Sequence, residues 1–429
     1  MNTMFYSYPE CAQKMAAKQD FIGFADVVHQ YVMIDKRLSC IINTQEFQRL
    51  KDIRQLGLAH YVYPCANGNR FEHCLGVCHL AQEVLNHLQK VQPELEITDD
   101  DKDCVKIAAL LHDVGHGPFS HLYEHAVEEA YPKENFKHEQ MSIKIARRIL
   151  KKPSVRKVFP AIMKKETNLK FIEELIKPKK MVEWNRCLAT LRVKGDNKLH
   201  LPRLCFRDKV ETNLLDIIQA RRLIHVRACQ HKGIINFQEM LKKAMVKADN
   251  FLKFQGNDGV SHNLLLAWKD TSAYIKLNDS IFETIQYSRE YELLPAKRCI
   301  EKIVSRKLPY FCCQVKSPND KILVALEEHT KEHTKKNNIP NINFCDYKIK
   351  SAVEDGSPEK NILYYSKSHS DTSFRNEHPT TSYEENGHKS YLIYCENEND
   401  KGEVKRIVHE FCIENGIWFG ENGVYPDFE

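Results

Sequence analysis

The sequence predicts a mainly α-helical protein with a smaller mixed α+β region at its C-terminal end. Two long stretches, about Phe21 to Leu150 and about Thr212 to Phe251, repeat apolar residues at helical spacing. Glycine and proline punctuate the ends of those runs. From about Val315 onward the pattern changes to short apolar runs separated by polar chain, which read as strands.

In the first stretch Ile41, Phe47, Leu50, Ile53 and Leu56 lie at near-helical spacing, and Gly57 marks a stop. Tyr63-Pro64-Cys65-Ala66-Asn67-Gly68 is rich in turn formers, and a helix is expected from about Phe71 through Leu88. Val105, Ala108, Ala109 and His112 fall at i, i+3, i+4 and i+7, so His112 continues a buried stripe. Gly115, Gly117 and Pro118 end that helix. The second stretch carries Arg221, Arg222, His225 and Arg227. The three strand candidates are Ile322 to Leu326, Ile362 to Tyr365 and Tyr391 to Cys395; Ser366 to Lys389 reads as a flexible loop.

The chain has 429 residues, enough for a large core and two domains. Its 42% hydrophobic and 28% charged content is that of an ordinary soluble protein. No apolar run reaches the roughly 18 residues of a spanning helix, and the N-terminus lacks an apolar signal core. The expectation is therefore an intracellular protein, in nucleus or cytosol, without a membrane partner. The 15 cysteines are scattered with no paired CxxC pattern, so most are expected to be free, packed thiols. The net charge of +5 permits anionic ligands without demonstrating any.

The chemistry concentrates in His112-Asp113-Val114-Gly115-His116, with His73 upstream in Asn69-Arg70-Phe71-Glu72-His73. Histidine and carboxylate together suit a borderline or hard divalent ion such as Zn, Fe, Mn or Mg. Such an ion lowers the pKa of bound water and makes hydroxide available near neutral pH. His73, His112 and Asp113 are therefore the expected metal ligands. Phosphate esters also need cations and hydrogen-bond donors around their oxygens. Arg70, His116, His121 and His138 have the right types for that role, and a histidine can give a proton to a leaving oxygen.

His112-Asp113-Val114-Gly115-His116-Gly117-Pro118-Phe119-Ser120-His121, with the upstream Arg70-Phe71-Glu72-His73 and the downstream His138-Glu139-Gln140, resembles the HD-domain phosphohydrolases. Within them the chain is similar to the deoxynucleoside triphosphate triphosphohydrolases that, in vertebrates, carry an added sterile-alpha-motif domain. Thr44 to Leu50, Ile107 to His121, Arg207-Asp208-Lys209 and Ala228 to Lys232 extend the resemblance, which covers about Phe21 to Glu429.

The resemblance implies a helical HD core over 21–310, an N-terminal extension over 1–20 too short for a sterile-alpha-motif domain, and a regulatory and oligomerisation region over 311–429. It implies hydrolysis of a dNTP to deoxynucleoside and inorganic triphosphate. In that scheme His73, His112 and Asp113 hold the metal. Arg70, His116, His121 and Arg221 hold the triphosphate, His116 and His138 are catalytic with His138 the proton donor, and Gln55 and Leu56 lie beside sugar and base. The family forms a tetramer when GTP and a dNTP activator bind between subunits. Gln48, Lys51, Val62, Arg186, Arg207, Lys209, Asn213, Arg227, His231, Lys232 and Arg306 match residues of those nucleotide sites. Single-stranded nucleic acid is a further expected ligand.

The match departs in two respects, at the metal site and at the nucleotide sites. The family's fourth metal ligand lies in an Asp-x-Asp-Lys-Trp-Asp-Tyr motif, and nothing of that form occurs between His138-Glu139-Gln140 and Arg207-Asp208-Lys209, where the interval near 177–191 is short. Asp196 and Asp208 align with non-ligand positions. Asn43 stands where the family has the Asp that pairs with guanine, and Lys51 where it has an Arg. Two alternatives to an active dNTPase follow. One is an inactive nucleotide- or nucleic-acid-binding form that regulates an intact form by co-assembly. The other is an HD phosphohydrolase acting on cyclic or signalling nucleotides.

Overall fold

The computed structural model describes residues 20–177, 193–195, 202–257, 259–317, 319–348, 363–366 and 389–420. Helix dominates, with a few small sheets. The chain divides into two compact units. The first takes in Met1–Gly57, Asn67–Cys205 and Asp249–Thr284; the second takes in Leu58–Ala66, Phe206–Ala248 and Ile285–Glu429. Among the described residues no helix is long and apolar enough to cross a membrane, and the described cysteines are free thiols.

The first unit opens with an antiparallel hairpin, β1 (Phe21–Asp26) and β2 (Gln30–Asp35). This corrects the expectation of helix from Phe21. Val32 and Ile34 are buried at a spacing of two, which is the period of a half-buried strand. Asp26 closes the turn by accepting the amides of Val28 and His29. The run from Ile41 to Leu56 also differs from one continuous helix. It forms short turns at Ser39–Ile42, Gln45–Gln48 and Arg49–Asp52, because Thr44 caps a new start by accepting the Phe47 amide. Gly57 does end the run, with φ of +55°.

Helix α1 (Arg70–Val91) begins at Asn69, whose side chain accepts the Glu72 amide. Its face of Phe71, Cys74, Leu75, Cys78, Leu85 and Leu88 is buried. Helix α2 (Asp99–Leu111) starts with a reciprocal Thr98–Asp101 capping box and three aspartates in the first turn, where the helix dipole favours them. It packs on α1 and ends directly at His112. Helices α3 (His121–Ala130), α4 (His138–Leu150) and α5 (Glu166–Ile176) complete the layer, with α5 packed on α2.

In the second unit, α6 (Glu211–Ile224) runs into a wide π turn at His225–Cys229 before α7 (Lys232–Ala248), so the second helical stretch is interrupted. Helix α7 packs on α8 (Leu294–Val304). A four-stranded antiparallel sheet follows, built from β3 (Tyr310–Ser317), β4 (Asn343–Lys348), β5 (Lys389–Cys395) and β6 (Trp418–Gly420) in the order β6-β3-β5-β4. Helices α9 (Asp320–Lys336) and α10 (Lys401–Asn415) share its core through Leu323, Leu326, Val404 and Val408.

The strand expected at Ile322 to Leu326 is therefore helix. Asn319 caps it by accepting the Lys321 amide, and only Leu323 and Leu326 of that run are buried while Val324 is half exposed. A spacing of three is helical. The other two strand expectations agree with Leu363–Tyr365 and β5. Residues 367–388, read as a loop, lie outside the described residues.

Candidate metal centre

The end of α2, the loop 112–120 and the start of α1 bring three sequence-predicted ligands to one point in the first unit. Nε2 of His73 and Nε2 of His112 lie 3.2 Å apart, and each is 3.3 Å from Oδ2 of Asp113. Three groups sharing one ion at bonds of about 2.1 Å have edges of this size, so the donors present fit a single divalent ion. Nδ1 of His112 is 2.8 Å from the Ala109 carbonyl, the partner that orients a ligating imidazole and leaves its Nε2 for the metal.

Asp113 and Arg70 are both buried and pair at 2.5 Å. Burial pushes the Asp113 carboxyl up, but the surrounding His112, His116 and His73 override it and hold the group far below the usual carboxylate range. For His112 burial acts downward, yet the bonds to Asp113 and to Ala109 leave its pKa raised. An incoming ion must displace that proton, so metal affinity weakens toward acid pH.

Arg70 is fixed at a second point, because its Nε donates to Ser120 Oγ at 3.0 Å and Ser120 in turn donates to the Arg54 carbonyl. The Arg70 amide donates to the Ile53 carbonyl, which places the phosphate-type arginine against the chain leading to Gln55 and Leu56.

A second group of side chains sits beside the first. His116 and His138 stack with centroids 3.8 Å apart, and His121 meets both edge-on. Glu124, from α3, is hydrogen-bonded to Nδ1 of His138 and also accepts the His138 amide at the start of α4. Burial raises Glu124, but the His138 contact outweighs it and holds the carboxyl at about 2. Burial and the nearby Arg70 keep His116 well below the ordinary imidazole value, hence neutral. His121 is pushed down to about 4 by the same poor solvation, although 61% of its side chain is open and solvent softens the effect. The sequence reading had not included Glu124. Its only signal is an i+3 spacing from His121, which is common on any helix.

The loop is held from behind by residues that sequence spacing could not find. Buried Arg49 donates twice to the His116 carbonyl, at 2.6 and 2.9 Å. Tyr274 donates to the Gly115 carbonyl, and the Gly115 amide donates to Ser142 on α4. Buried Asp279 accepts the Phe119 amide at 2.6 Å and the Arg54 amide at 2.9 Å. Phe119 and Ser120 both have positive φ, +56° and +61°, a conformation that costs L-residues energy and persists only when it is held.

Asp279→Ala leaves two buried amides unpaired and is expected to cost about 2–4 kcal/mol of unfolding free energy in urea melts. Burial raises Asp279 to about 7, above its unfolded value, so its contribution is complete below about pH 4 and is lost as pH rises through 7. The gap between wild type and variant should therefore shrink from pH 5 to pH 8. A gap that widens would reverse the sign assigned to Asp279.

The remaining expected positions separate between the units. Gln48 and Lys51 lie in the first unit, where Gln48 donates to the Ile42 carbonyl and the Lys51 ammonium sits over the Phe71 ring. In the second unit several gather around Tyr61 to Tyr63. Arg306 donates to the Tyr61 carbonyl, Tyr63 donates to the Arg227 carbonyl and stacks edge-on with His231, and Val62 approaches Gly233 beside Lys232. Lys209 and Asn213 are exposed there, and Arg207 is on a strand over Pro202–Arg207. Arg221 is exposed on α6. Arg186 and the short interval near 177–191 fall almost entirely outside the described residues.

Residues 70–191 match the HD domain family, and the His73–His112–Asp113 constellation lies within that stretch. The chain is similar to deoxynucleoside triphosphate triphosphohydrolases of the SAMHD1 type. It is 32% identical to SAMHD1 of Gallus gallus over 70% of this chain and 58% of that protein, and 32% identical to SAMHD1 of Homo sapiens over 66% and 53%. The SAMHD1 homolog of Dictyostelium discoideum is 28% identical over 83% of this chain and 73% of its own length. The chain thus spans little more than half of the two vertebrate relatives.

Proposed function

We propose that this chain hydrolyses deoxynucleoside triphosphates to deoxynucleoside and inorganic triphosphate. The observation that carries the reading is the His73–His112–Asp113 triangle with Arg70 on one side and the imidazole cluster on the other, in a chain whose relatives are named for that reaction.

His73, His112 and Asp113 would hold a divalent ion, which when bound would supply Lewis acidity and lower the pKa of water. Arg70, clamped by Asp113 and Ser120, offers its guanidinium to phosphate oxygens. His116, neutral and buried, and the more open His121 act as hydrogen-bond donors to the same chain of phosphates. Water attacks the α-phosphorus, the bond to the 5′ oxygen breaks, and His138, oriented by Glu124, gives that oxygen its proton. Gln55 and Leu56 line the sugar and base side. Gln48, Lys51, Val62, Arg186, Arg207, Lys209, Asn213, Arg227, His231, Lys232 and Arg306 serve a GTP or dNTP activator site that drives homo-oligomerisation.

The test is incubation with each dNTP and Mn²⁺ or Mg²⁺, with and without GTP, followed by ion chromatography for inorganic triphosphate. His138→Ala is expected to lower kcat about 100-fold or more with a smaller change in KM, the size usual for general acid loss. A KM effect alone would move His138 from proton transfer to binding. Absence of triphosphate in every condition, while the same chain with an Asp-x-Asp-Lys-Trp-Asp-Tyr segment inserted is active, sinks activity for this form. That outcome favours the second reading, a nucleotide-binding partner of an intact form, which the short interval near 177–191 motivates. Nucleotide-dependent co-elution with the intact form then tests it.

A further inference from the structure

We propose that Asp279 is a positioning residue for the phosphate side of the site: through the turn Phe119–Ser120 it sets the plane of the Arg70 guanidinium. The inference deepens the hydrolase reading, on which it rests for the anion that Arg70 meets. Asp279 is buried, and its two carboxylate oxygens take different partners. Oδ1 accepts the Phe119 amide at 2.6 Å and Oδ2 the Arg54 amide at 2.9 Å. Its own amide donates to the Asp52 carbonyl, so it grips the segment 52–54 at two places. The Arg54 carbonyl in turn accepts Ser120 Oγ at 2.8 Å. Having given its one hydrogen to that carbonyl, the Ser120 hydroxyl presents a lone pair to Arg70 Nε, 3.0 Å away. Asp113 fixes Arg70 at Nη1. Two fixed points set the plane of the guanidinium fork, and a bidentate phosphate contact depends on that plane.

A second observation sets Ser120 apart from an ordinary structural serine. It stands at the N-cap of α3, where a serine side chain normally accepts an amide of the first helical turn. Here it makes no such bond. Its backbone is at φ +61° and ψ −123°, and Phe119 before it is at φ +56°. Neither residue is glycine, so the turn keeps this shape only while its partners hold it. The fold gives up a helix cap and strains two residues to set one hydroxyl between Arg54 and Arg70. Local rules are broken in this way at functional sites, with compensation elsewhere. Asp279 is the compensation. It pins Phe119 on one side and, through the Arg54 peptide, the acceptor of Ser120 on the other.

The experiment measures inorganic triphosphate binding to the full chain by equilibrium dialysis in metal-free buffer. Wild type is compared with Asp279→Asn, Ser120→Ala and the double variant. Asparagine keeps the size of Asp279 and one acceptor, but sets an NH₂ against the second amide. Each single variant is expected to bind triphosphate about tenfold more weakly, a size usual for coupled neighbours. The double variant should be no weaker than Ser120→Ala, because both changes cut one chain of contacts. Unchanged affinity in Asp279→Asn, or losses that multiply in the double variant, overturns the proposal. In dNTP turnover Asp279→Asn should raise KM more than it lowers kcat. A fall in kcat at constant KM is what a smaller folded fraction gives, and it also overturns the proposal.

A chain that neither binds triphosphate nor releases it sinks the hydrolase reading, and Asp279 is then judged by magnetic resonance of isotope-labelled arginine. The Arg70 Nε–H signal, assigned by its shift in Ser120→Ala, should exchange slowly in wild type and fast in Asp279→Asn. Slow exchange in both overturns the positioning role whatever the reaction. Should Asp279→Asn fail to fold, wild type alone supplies the test. Linkage requires triphosphate to slow hydrogen exchange at the Phe119 and Arg54 amides if their clamp favours its binding, and unchanged exchange at both overturns the proposal.

Discussion

Asp113→Ala is expected to empty the His73–His112–Asp113 site and to destabilise the protein at the same time. The carboxylate supplies one of three converging donors, so metal content measured by elemental analysis should fall by one ion per chain. The same substitution leaves Arg70 buried without its counter-charge. Removing one partner of a buried pair typically costs about 3–5 kcal/mol, which thermal or urea unfolding would register. His112→Ala separates the two effects, because it removes a donor without stranding Arg70. It should lose the ion with a much smaller stability change. If both variants keep full metal content, the metal centre lies elsewhere.

Gly115→Ala is expected to be the most damaging single methyl in the first unit. A Cβ at this position would stand 2.1 Å from the Ser142 amide nitrogen and 2.3 Å from the His138 carbonyl oxygen, both in the backbone of α4. Backbone cannot swing aside as a side-chain tip can, so α4 must retreat by more than an ångström. Overpacking usually costs about 1–3 kcal/mol, and a clash with helix backbone should sit at or above the top of that range. Retreat of α4 also carries His138 away from His116 and Glu124, so the triphosphate release proposed for this chain should fall together with the unfolding midpoint. A variant with the wild-type midpoint would show that α4 is not seated on this glycine.

The candidate metal triad is legible in the sequence because its signal is local. His112 and Asp113 are adjacent at the end of an apolar helical run, and His73 sits near the start of the helix expected from about Phe71. The residues that make the triad rigid were not legible. Arg49, Tyr274 and Asp279 reach the loop across 67, 159 and 160 positions of chain, and no local pattern assigns them to it. Glu124 is similar, an ordinary acidic residue of α3 until the fold sets it under His138.

Secondary structure divides the same way. Helix α1 and the end of helix α2 could be read from apolar spacing and from the turn formers, glycines and proline that bound them. The β1–β2 hairpin and helix α9 were misjudged, because Val32 with Ile34, and Leu323 with Leu326, declare their period only once it is known which of their neighbours face the core. Periodicity, capping residues and adjacent histidine and aspartate are properties of neighbouring residues, so the sequence alone determined the helical class, the metal-binding type and the resemblance to phosphohydrolases. Register between distant segments depends on which surfaces pack. Only the tertiary structure could decide that Asp279 holds a strained turn, that Gly115 seats α4, and that three histidines and Glu124 converge beside the HD triad.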